Sequence, residues 1–328
     1  MTYRYALYGM VVDSDADLFQ NRLAPDGAHP DLVIRTAARA ELAPEPDDAP
    51  ALEFERGGAR YVAHRAPDGG WRLRFAETCD FVVSPDLMRV EVHQAPGVDP
   101  GLATVLTVGA LCAFVLYLRG RLVLHASAVE RDGVAIAFTG ASGRGKSTTA
   151  ALACAAGARL VTDDLLTVTL PDDGTARAVL GATELRLRKG AETLLDRFAG
   201  DRPRSRTSVD GRQVLRLDDA AEGDLPLAAV VVPFPDRVHD ELEAAILSSR
   251  EALFTLLAFP RLEGWLHPPV VRSVFDGLSE LSRRVPVVAL RIPWGPPFRE
   301  DLGLEILDAV CATVLATPAA LTADGVPA

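Results

Sequence analysis

With 328 residues, 48% of them hydrophobic and 24% charged, the chain has the balance of a folded globular protein and is long enough for two cores of ordinary size. A formal charge of −11 argues against a general nucleic-acid binder, which needs a clustered basic surface to neutralise phosphates. Cys79, Cys112, Cys154 and Cys311 stand far apart without CxxC or Cys/His spacing, which argues against a disulfide framework or structural zinc and fits a reducing, cytoplasmic setting.

The N-terminal MTYRYALYGMVVDSDADLF lacks a basic start, an apolar core and a small-residue cleavage site, so no signal peptide is expected. Residues 1–95 read as short alternating strands: YRYALYGMVV, DLVIRTA, ALEFERGGARYVAHRAPDGGWRLRFA, DFVVSP and MRVEVH. Gly57-Gly58 and Asp68-Gly69-Gly70 serve as hairpin turns. A smaller β-rich domain over 1–95 is expected, with HQAPGVDPG as its boundary. The next stretch, GLATVLTVGALCAFVLYL, is eighteen uncharged residues and reaches the lower limit of a membrane span. Its Gly and Thr residues and its rapid continuation into the strand RLVLHASAV favour a buried helix instead. From Leu122 the pattern becomes strand, glycine loop, helix and strand, running to VPVVALRIP and a last helix, REDLGLEILDAVCATVLA. An α/β or α+β domain over 96–328 is expected, and the tail TPAALTADGVPA, with little to bury, is expected to fray.

Chemistry concentrates in the middle of the chain. Gly140-Ala141-Ser142-Gly143-Arg144-Gly145-Lys146-Ser147 satisfies G-x-x-x-x-G-K-[ST], between the apolar strand VAIAFT and the alanine-rich helix STTAALACAAGA. Backbone N–H groups of such a loop, continued by Thr148, converge with the helix N-terminus on an anion. Lys146 is then placed for the β- and γ-phosphates of a nucleotide and Ser147 for Mg²⁺. The alternative is a chance glycine-rich turn. Seventeen residues after Lys146, Asp163 and Asp164 sit together in the apolar run ARLVTDDLLTVTL. One acid suits Mg²⁺ and the other suits a hydroxyl proton, unless the pair merely caps a strand-end turn. His125 precedes the loop on the partner strand of a hairpin turning through Glu130 to Gly133. It reads either as a core histidine or as a group orienting the Asp pair. The stretch DRPRSRTSVDGRQVLRLDD carries Arg202, Arg204, Arg206 and Arg212 around an Asp210-Gly211 turn, read as a solvated hairpin in preference to a clamp over phosphates. His64, His93 and His267 show no ligand spacing and receive no role.

Taken together, LHASAV, FTGASGRGKST and GARLVTDDLLTV resemble the HPr kinase/phosphorylase family and its PEP-carboxykinase-like relatives. Those relatives include HPr-kinase-like proteins of biosynthetic clusters for lasso and other modified peptides. The resemblance covers roughly Leu122 to Val168. It implies a PEP-carboxykinase/HPr-kinase-like P-loop domain behind the β-rich one. It also implies that His125, Lys146, Ser147, Asp163 and Asp164 occupy the family's functional positions. On that pattern Asp164 is the base toward an acceptor serine, Asp163 and Ser147 lie on the metal side, and His125 supports the pair. The family's Glu-x-Arg-Gly signature survives here only as Glu184 and Arg186 without the glycine, so Glu184 is a candidate metal ligand and HPr itself is in doubt as substrate. Self-association is a further implication, since HPr kinases are hexamers.

The expectation is therefore an ATP- and Mg²⁺-dependent kinase acting on a serine-type hydroxyl of a peptide or protein, with a modified-peptide precursor as one such acceptor. A small-molecule kinase is the nearest alternative, although such enzymes place the loop near the N-terminus. A regulatory module that binds nucleotide without transferring phosphate is the other alternative. LSGGQ and N-K-x-D motifs do not occur, which argues against an ABC transporter ATPase and a guanine-nucleotide switch.

Overall fold

A computed structural model describes residues 2–187, 192–198, 203–217 and 219–316. The tail expected to fray and Arg202 lie outside the described residues. The protein is a mixed α/β structure with several sheets.

Eight short strands build the first sheet: β1 (Tyr3–Leu7), β2 (Met10–Ser14), β3 (Leu32–Thr36), β4 (Leu52–Arg56), β5 (Ala59–Arg65), β6 (Trp71–Phe75), β7 (Cys79–Val83) and β8 (Arg89–Gln94). Their order is β1-β2-β3-β8-β7-β6-β5-β4, antiparallel except where β3 runs parallel to β2 and β8. The run YRYALYGMVV is two strands, because Tyr8 and Gly9 both take positive φ (58° and 75°) and turn the chain back on itself. Gly57 and Gly58 do the same between β4 and β5.

The apolar stretch that follows is one rod, Pro100–Leu118. It consists of α1 (Pro100–Leu106), a π-helical turn (Thr107–Leu111) and α2 (Cys112–Leu118). Asp99 caps it by accepting from the Gly101 N–H at 2.8 Å. It is the one helix among the described residues long and apolar enough to cross a membrane, yet most of it is buried within the protein. Leu111, Phe114, Val115 and Leu116 share a core with Leu7, Leu32, Leu73 and Phe81 of the first sheet. Each such side chain contributes about 1.5–3 kcal/mol by leaving water.

The rest of the chain supplies β9 (Leu122–Leu124), β10 (Ala126–Arg131), β11 (Val134–Thr139), α3 (Lys146–Ala155), β12 (Arg159–Thr162), β13 (Leu166–Thr169), β14 (Arg177–Val179), β15 (Glu184–Leu187), β16 (Arg204–Thr207), β17 (Gln213–Arg216), β18 (Leu225–Asp236), β19 (Glu243–Ile246), α4 (Ser249–Leu257), α5 (Pro268–Arg284), β20 (Val287–Pro293) and α6 (Leu302–Leu315). A nine-stranded sheet runs β12-β10-β11-β18-β14-β13-β9, with β20 added to β18 and β19 to β20. At its centre β11, β18 and β20 are parallel. Helices α3 and α6 bury Leu152, Ile306 and Val310 against Ile136 and Phe138, while α4 and α5 bury Ala252, Leu256, Leu278 and Leu281 in a separate core with Ala137 and Val230. Strands β15, β17 and β16 form a small antiparallel sheet. All four cysteines are free.

Candidate functional site

The glycine loop leaves β11 and delivers the chain into α3. Gly140, Gly143 and Gly145 take φ of 145°, 85° and 87°, backbone that L side chains rarely adopt. Gly145 also needs its bareness for space, since a Cβ there would lie 2.3 Å from Trp294 Cη2. No side chain caps the N-terminus of α3, so its first N–H groups and dipole face the loop. The buried Lys146 Nζ folds back to donate to Gly140 O at 2.9 Å and Ala141 O at 3.3 Å.

His125 and the Asp pair meet because two neighbouring strands break at the same level. The sequence reads RLVLHASAV and ARLVTDDLLTVTL as continuous strands; the structure divides the first at His125, between β9 and β10. It divides the second at 163–165, between β12 and β13. Since β10 pairs with β12 and β9 with β13, residues 125–127 lie opposite 163–165. In an unbroken strand adjacent side chains point to opposite faces, so Asp163 and Asp164 could not have served one site. Here Asp164 takes φ of 70° and Leu165 N–H returns to Asp163 O at 2.9 Å. The pair thus sits at strand ends, as the alternative reading had it, and yet converges on the loop.

Asp163 is buried and fully engaged. Its Oδ1 accepts from Ser127 Oγ at 2.5 Å and Ser147 Oγ at 2.8 Å, and its Oδ2 accepts from the Arg186 N–H at 2.9 Å. Burial pushes its pKa up despite those hydrogen bonds, and the neighbouring Asp164 adds to the shift. Its charged form therefore costs stability in the absence of a cation. A carboxyl whose folded pKa is raised is most favourable to the fold when protonated, and loses stability as pH rises through that pKa. Asp163→Asn should accordingly melt about 1–3 °C above the wild type at pH 8, the gap closing toward pH 4, in calorimetric scans without nucleotide or metal.

Asp164 behaves in the opposite sense. Burial alone would raise its pKa, but the Arg261 guanidinium, with Nη2 2.6 Å from Oδ2, and His125, with Nε2 3.4 Å from Oδ1, hold it well below the usual carboxylate range. Burial lowers the His125 pKa, against the pull of Asp164, so the imidazole is neutral at pH 7. The site therefore presents an ionised Asp164 between a neutral imidazole and a fixed cation.

Arg261 carries no motif and is invisible to sequence reading. It arrives on the loop between α4 and α5, which the first sheet and the rod hold in place. Tyr61 Oη accepts from Glu263 N–H at 2.8 Å and donates to Glu263 O at 3.1 Å, Tyr117 Oη accepts from Arg261 N–H at 3.2 Å, and Trp265 stacks on Phe114 at 5.5 Å. Gly109, inside the π-helical turn, is another group without a sequence signal. A Cβ there would lie 2.5 Å from Arg261 Nη2 and 2.7 Å from Asp164 Oδ2. The loop's lysine, serine and glycine spacing, the Asp pair, His125, Glu184 with Arg186 and the basic stretch around Asp210 did offer signals in the sequence.

Two cavities meet at these groups. One, of about 270 Å³, is lined by Ser142, Gly143, Gly145, Lys146, Ser147 and Thr148 of the loop and by Arg237, Trp294, Pro296 and Phe298. Gly140, Ala141 and Arg144 belong to the loop but not to this lining. The other, of about 620 Å³, lies between the rod, the segment after β2 and the β16–β17 hairpin. His125, Ser142, Asp164, Arg186 and Arg212 line both. A larger groove of about 910 Å³ at Arg121, Pro171, Arg272 and Asp276 holds none of this chemistry.

The basic hairpin is part of the site, where the sequence favoured a solvated one. Arg212 lies 3.3 Å from Asp210, Arg186 donates to both Asp210 oxygens at 2.8 Å, and Arg206 crosses the Phe19 ring at 4.6 Å. Glu184 lines the larger cavity and accepts from Arg206 at 2.8 Å, and burial raises its pKa despite that partner. Among the described residues no three His, Cys, Asp or Glu side chains group as a metal cage. Ser147 Oγ and Asp163 Oδ1, 2.8 Å apart, nevertheless make a pair of hard oxygen donors of the kind that holds Mg²⁺ together with phosphate oxygens and water.

No protein-family model matches the chain, and no curated protein matches it. Among solved structures, the Hpr(Ser) kinase/phosphatase from Coxiella burnetii is similar at 14% identity over 59% of this chain and 96% of that chain, with a TM-score of 0.28. That superposition is too loose to carry chemistry, and the site stands on its own geometry.

Proposed function

We propose that the protein is an ATP-dependent kinase that transfers the γ-phosphoryl group to a serine-type hydroxyl of a peptide or protein. The observation that carries this reading is the convergence of His125, Asp163, Asp164 and Ser147 where a loop-floored cavity meets a second, larger one. A transferase needs two substrates on either side of one reacting centre, whereas a switch or sensor needs only the first cavity. The resemblance of the Leu122 to Val168 segment to HPr kinases points the same way.

On this reading the loop N–H groups and the α3 N-terminus hold the phosphates, and Lys146 exchanges its two loop carbonyls for phosphate oxygens. Ser147 and Asp163 would hold Mg²⁺, which when bound neutralises charge on the β- and γ-phosphates. Arg186 and Arg212, at the border of the two cavities, face the group in transit. The acceptor oxygen attacks the γ-phosphorus in line, the bond from that phosphorus to the β,γ-bridging oxygen breaks, and the hydroxyl proton passes to Asp164. ADP and the phosphoseryl product result. Residues 1–95, through the loop bearing Arg261 and one wall of the larger cavity, form the acceptor-facing unit.

The test is direct. The protein is incubated with MgATP and a pool of seryl peptides, transfer is read as a mass shift of about 80 Da (one phosphate, HPO₃), and binding is read by intrinsic tryptophan fluorescence, to which Trp294 beside the loop contributes. Mg²⁺-dependent labelling that is lost in Lys146→Ala is expected. Nucleotide binding without any transfer would reassign the protein as a regulatory module.

A further inference from the structure

The larger cavity has a divided wall. Leu102, Val105 and Leu106 of the rod, with Phe19 and Val209, make one side apolar, while Tyr8, Glu184, Arg206 and Arg261 make the other polar. Tyr8 is 2% exposed, and its Oη has no hydrogen-bond partner; Arg261 Nε has none either. A buried hydroxyl left unpaired costs stability, so the cavity holds a polar atom waiting for a ligand atom. The rod and the hairpin turn close on each other at one end, where a Cβ on Gly101 would lie 2.5 Å from Val209 Cγ2. Alongside, β16 is one of the two edge strands of its sheet among the described residues and leads into Val209, so an extended segment pairing with that edge runs toward the cavity.

We propose that this cavity is the acceptor site and that it takes a short extended peptide segment. The serine hydroxyl meets Asp164, apolar neighbours seat on Leu102, Val105 and Leu106, and a peptide carbonyl accepts from Tyr8 Oη. The inference rests on the kinase reading above and adds to it the chemistry of the acceptor. A cavity of about 620 Å³ excludes a folded domain but admits an extended segment. On the apolar side of the cavity an acidic neighbour of the serine is disfavoured, because it would stand as an unpaired charge against Leu102, Val105 and Leu106 and not against the arginines of the polar wall.

The test uses the full chain with MgATP and a library of peptides carrying one fixed serine and randomised flanks. Wild-type protein should label peptides with Leu, Val, Met or Phe beside the serine about tenfold more than those with Asp or Glu. In Val105→Asp that preference should collapse, Lys- and Arg-flanked peptides should gain, and the KM for ATP should stay put. Tyr8→Phe, which removes only the unpaired hydroxyl, should raise the peptide KM about three- to tenfold at unchanged kcat. Identical flank preferences in wild type and Val105→Asp, with an unchanged KM in Tyr8→Phe, would overturn the site. If the wild type labels nothing, the kinase reading fails, and the cavity is decided by methyl NMR at Leu102 and Val105. Shifts with acetyl-Leu-Ser-Leu-amide but not with acetyl-Glu-Ser-Glu-amide uphold it as a peptide site, and no shift with either rejects it.

Discussion

Asp164→Asn should lower kcat for phosphoryl transfer by about 10³-fold while leaving MgATP affinity within about twofold. That factor corresponds to about 4 kcal/mol of transition-state stabilisation. Among the described residues Asp164 is the one carboxylate that lines both cavities, and it is pinned on both oxygens, by Arg261 at 2.6 Å and His125 at 3.4 Å. Asparagine keeps the volume and an oxygen for Arg261, but it cannot take a proton. The low pKa of Asp164 makes it a weak base, which suits this chemistry: in a loose phosphoryl-transfer transition state the hydroxyl proton leaves late, so its acceptor must above all be in place. Single-turnover transfer and intrinsic tryptophan fluorescence measured on one preparation separate the two effects. Transfer at the wild-type rate would remove Asp164 from the role of base and direct attention to His125, whose neutral imidazole lies beside it.

The sequence made the loop legible because its requirement is local: three glycines at positive φ, one lysine and one serine within a single strand-to-helix turn. It made the Asp pair legible as a pair, since two acids inside an apolar run need a reason. Their geometry was less legible. A run such as VTDDLLTV has no glycine or proline to announce a break, and the strand ends because Asp164 takes the left-handed region among its tertiary partners, not because of propensity. The front strands could be read from alternation and turn glycines, but their pairing order could not: two parallel contacts bring β3 between β2 and β8, across some fifty residues of chain. Arg261 and Trp294 belong to segments without a pattern of their own, and nothing in the alternation around Tyr8 marks its hydroxyl. They reach the site only through contacts distant in sequence, such as Tyr61 with Glu263 and Trp294 against Gly145. Position in the chain therefore hid what position in space supplies.

Gly109→Ala should damage transfer selectively, reducing it by about 10²-fold or more with nucleotide binding intact. In an ordinary helix interior the same change stabilises by about 1 kcal/mol, because alanine loses less backbone freedom on folding. The π-helical turn at 107–111 reverses the sign, since it presses the backbone of Gly109 against the Asp164–Arg261 pair. The added carbon would sit 2.5 Å from Arg261 Nη2 and 2.7 Å from Asp164 Oδ2. Neither atom can yield alone: each is the other's partner at 2.6 Å, and retreat of either leaves a charge facing the wrong group. The methyl therefore moves the base and loosens its anchor in one step, while Lys146, Ser147 and the glycine loop, which lie outside that contact, are left as they are. Gly277→Ala in α5, where a Cβ meets only the Leu122 side chain at 3.0 Å or more, provides the comparison, and there transfer should be unchanged. Equal kinetics for the two variants would mean that the rod only fills the core. A loss confined to Gly109→Ala would mean that the apolar helix, which by composition alone reads as a packing element, sets the position of the base.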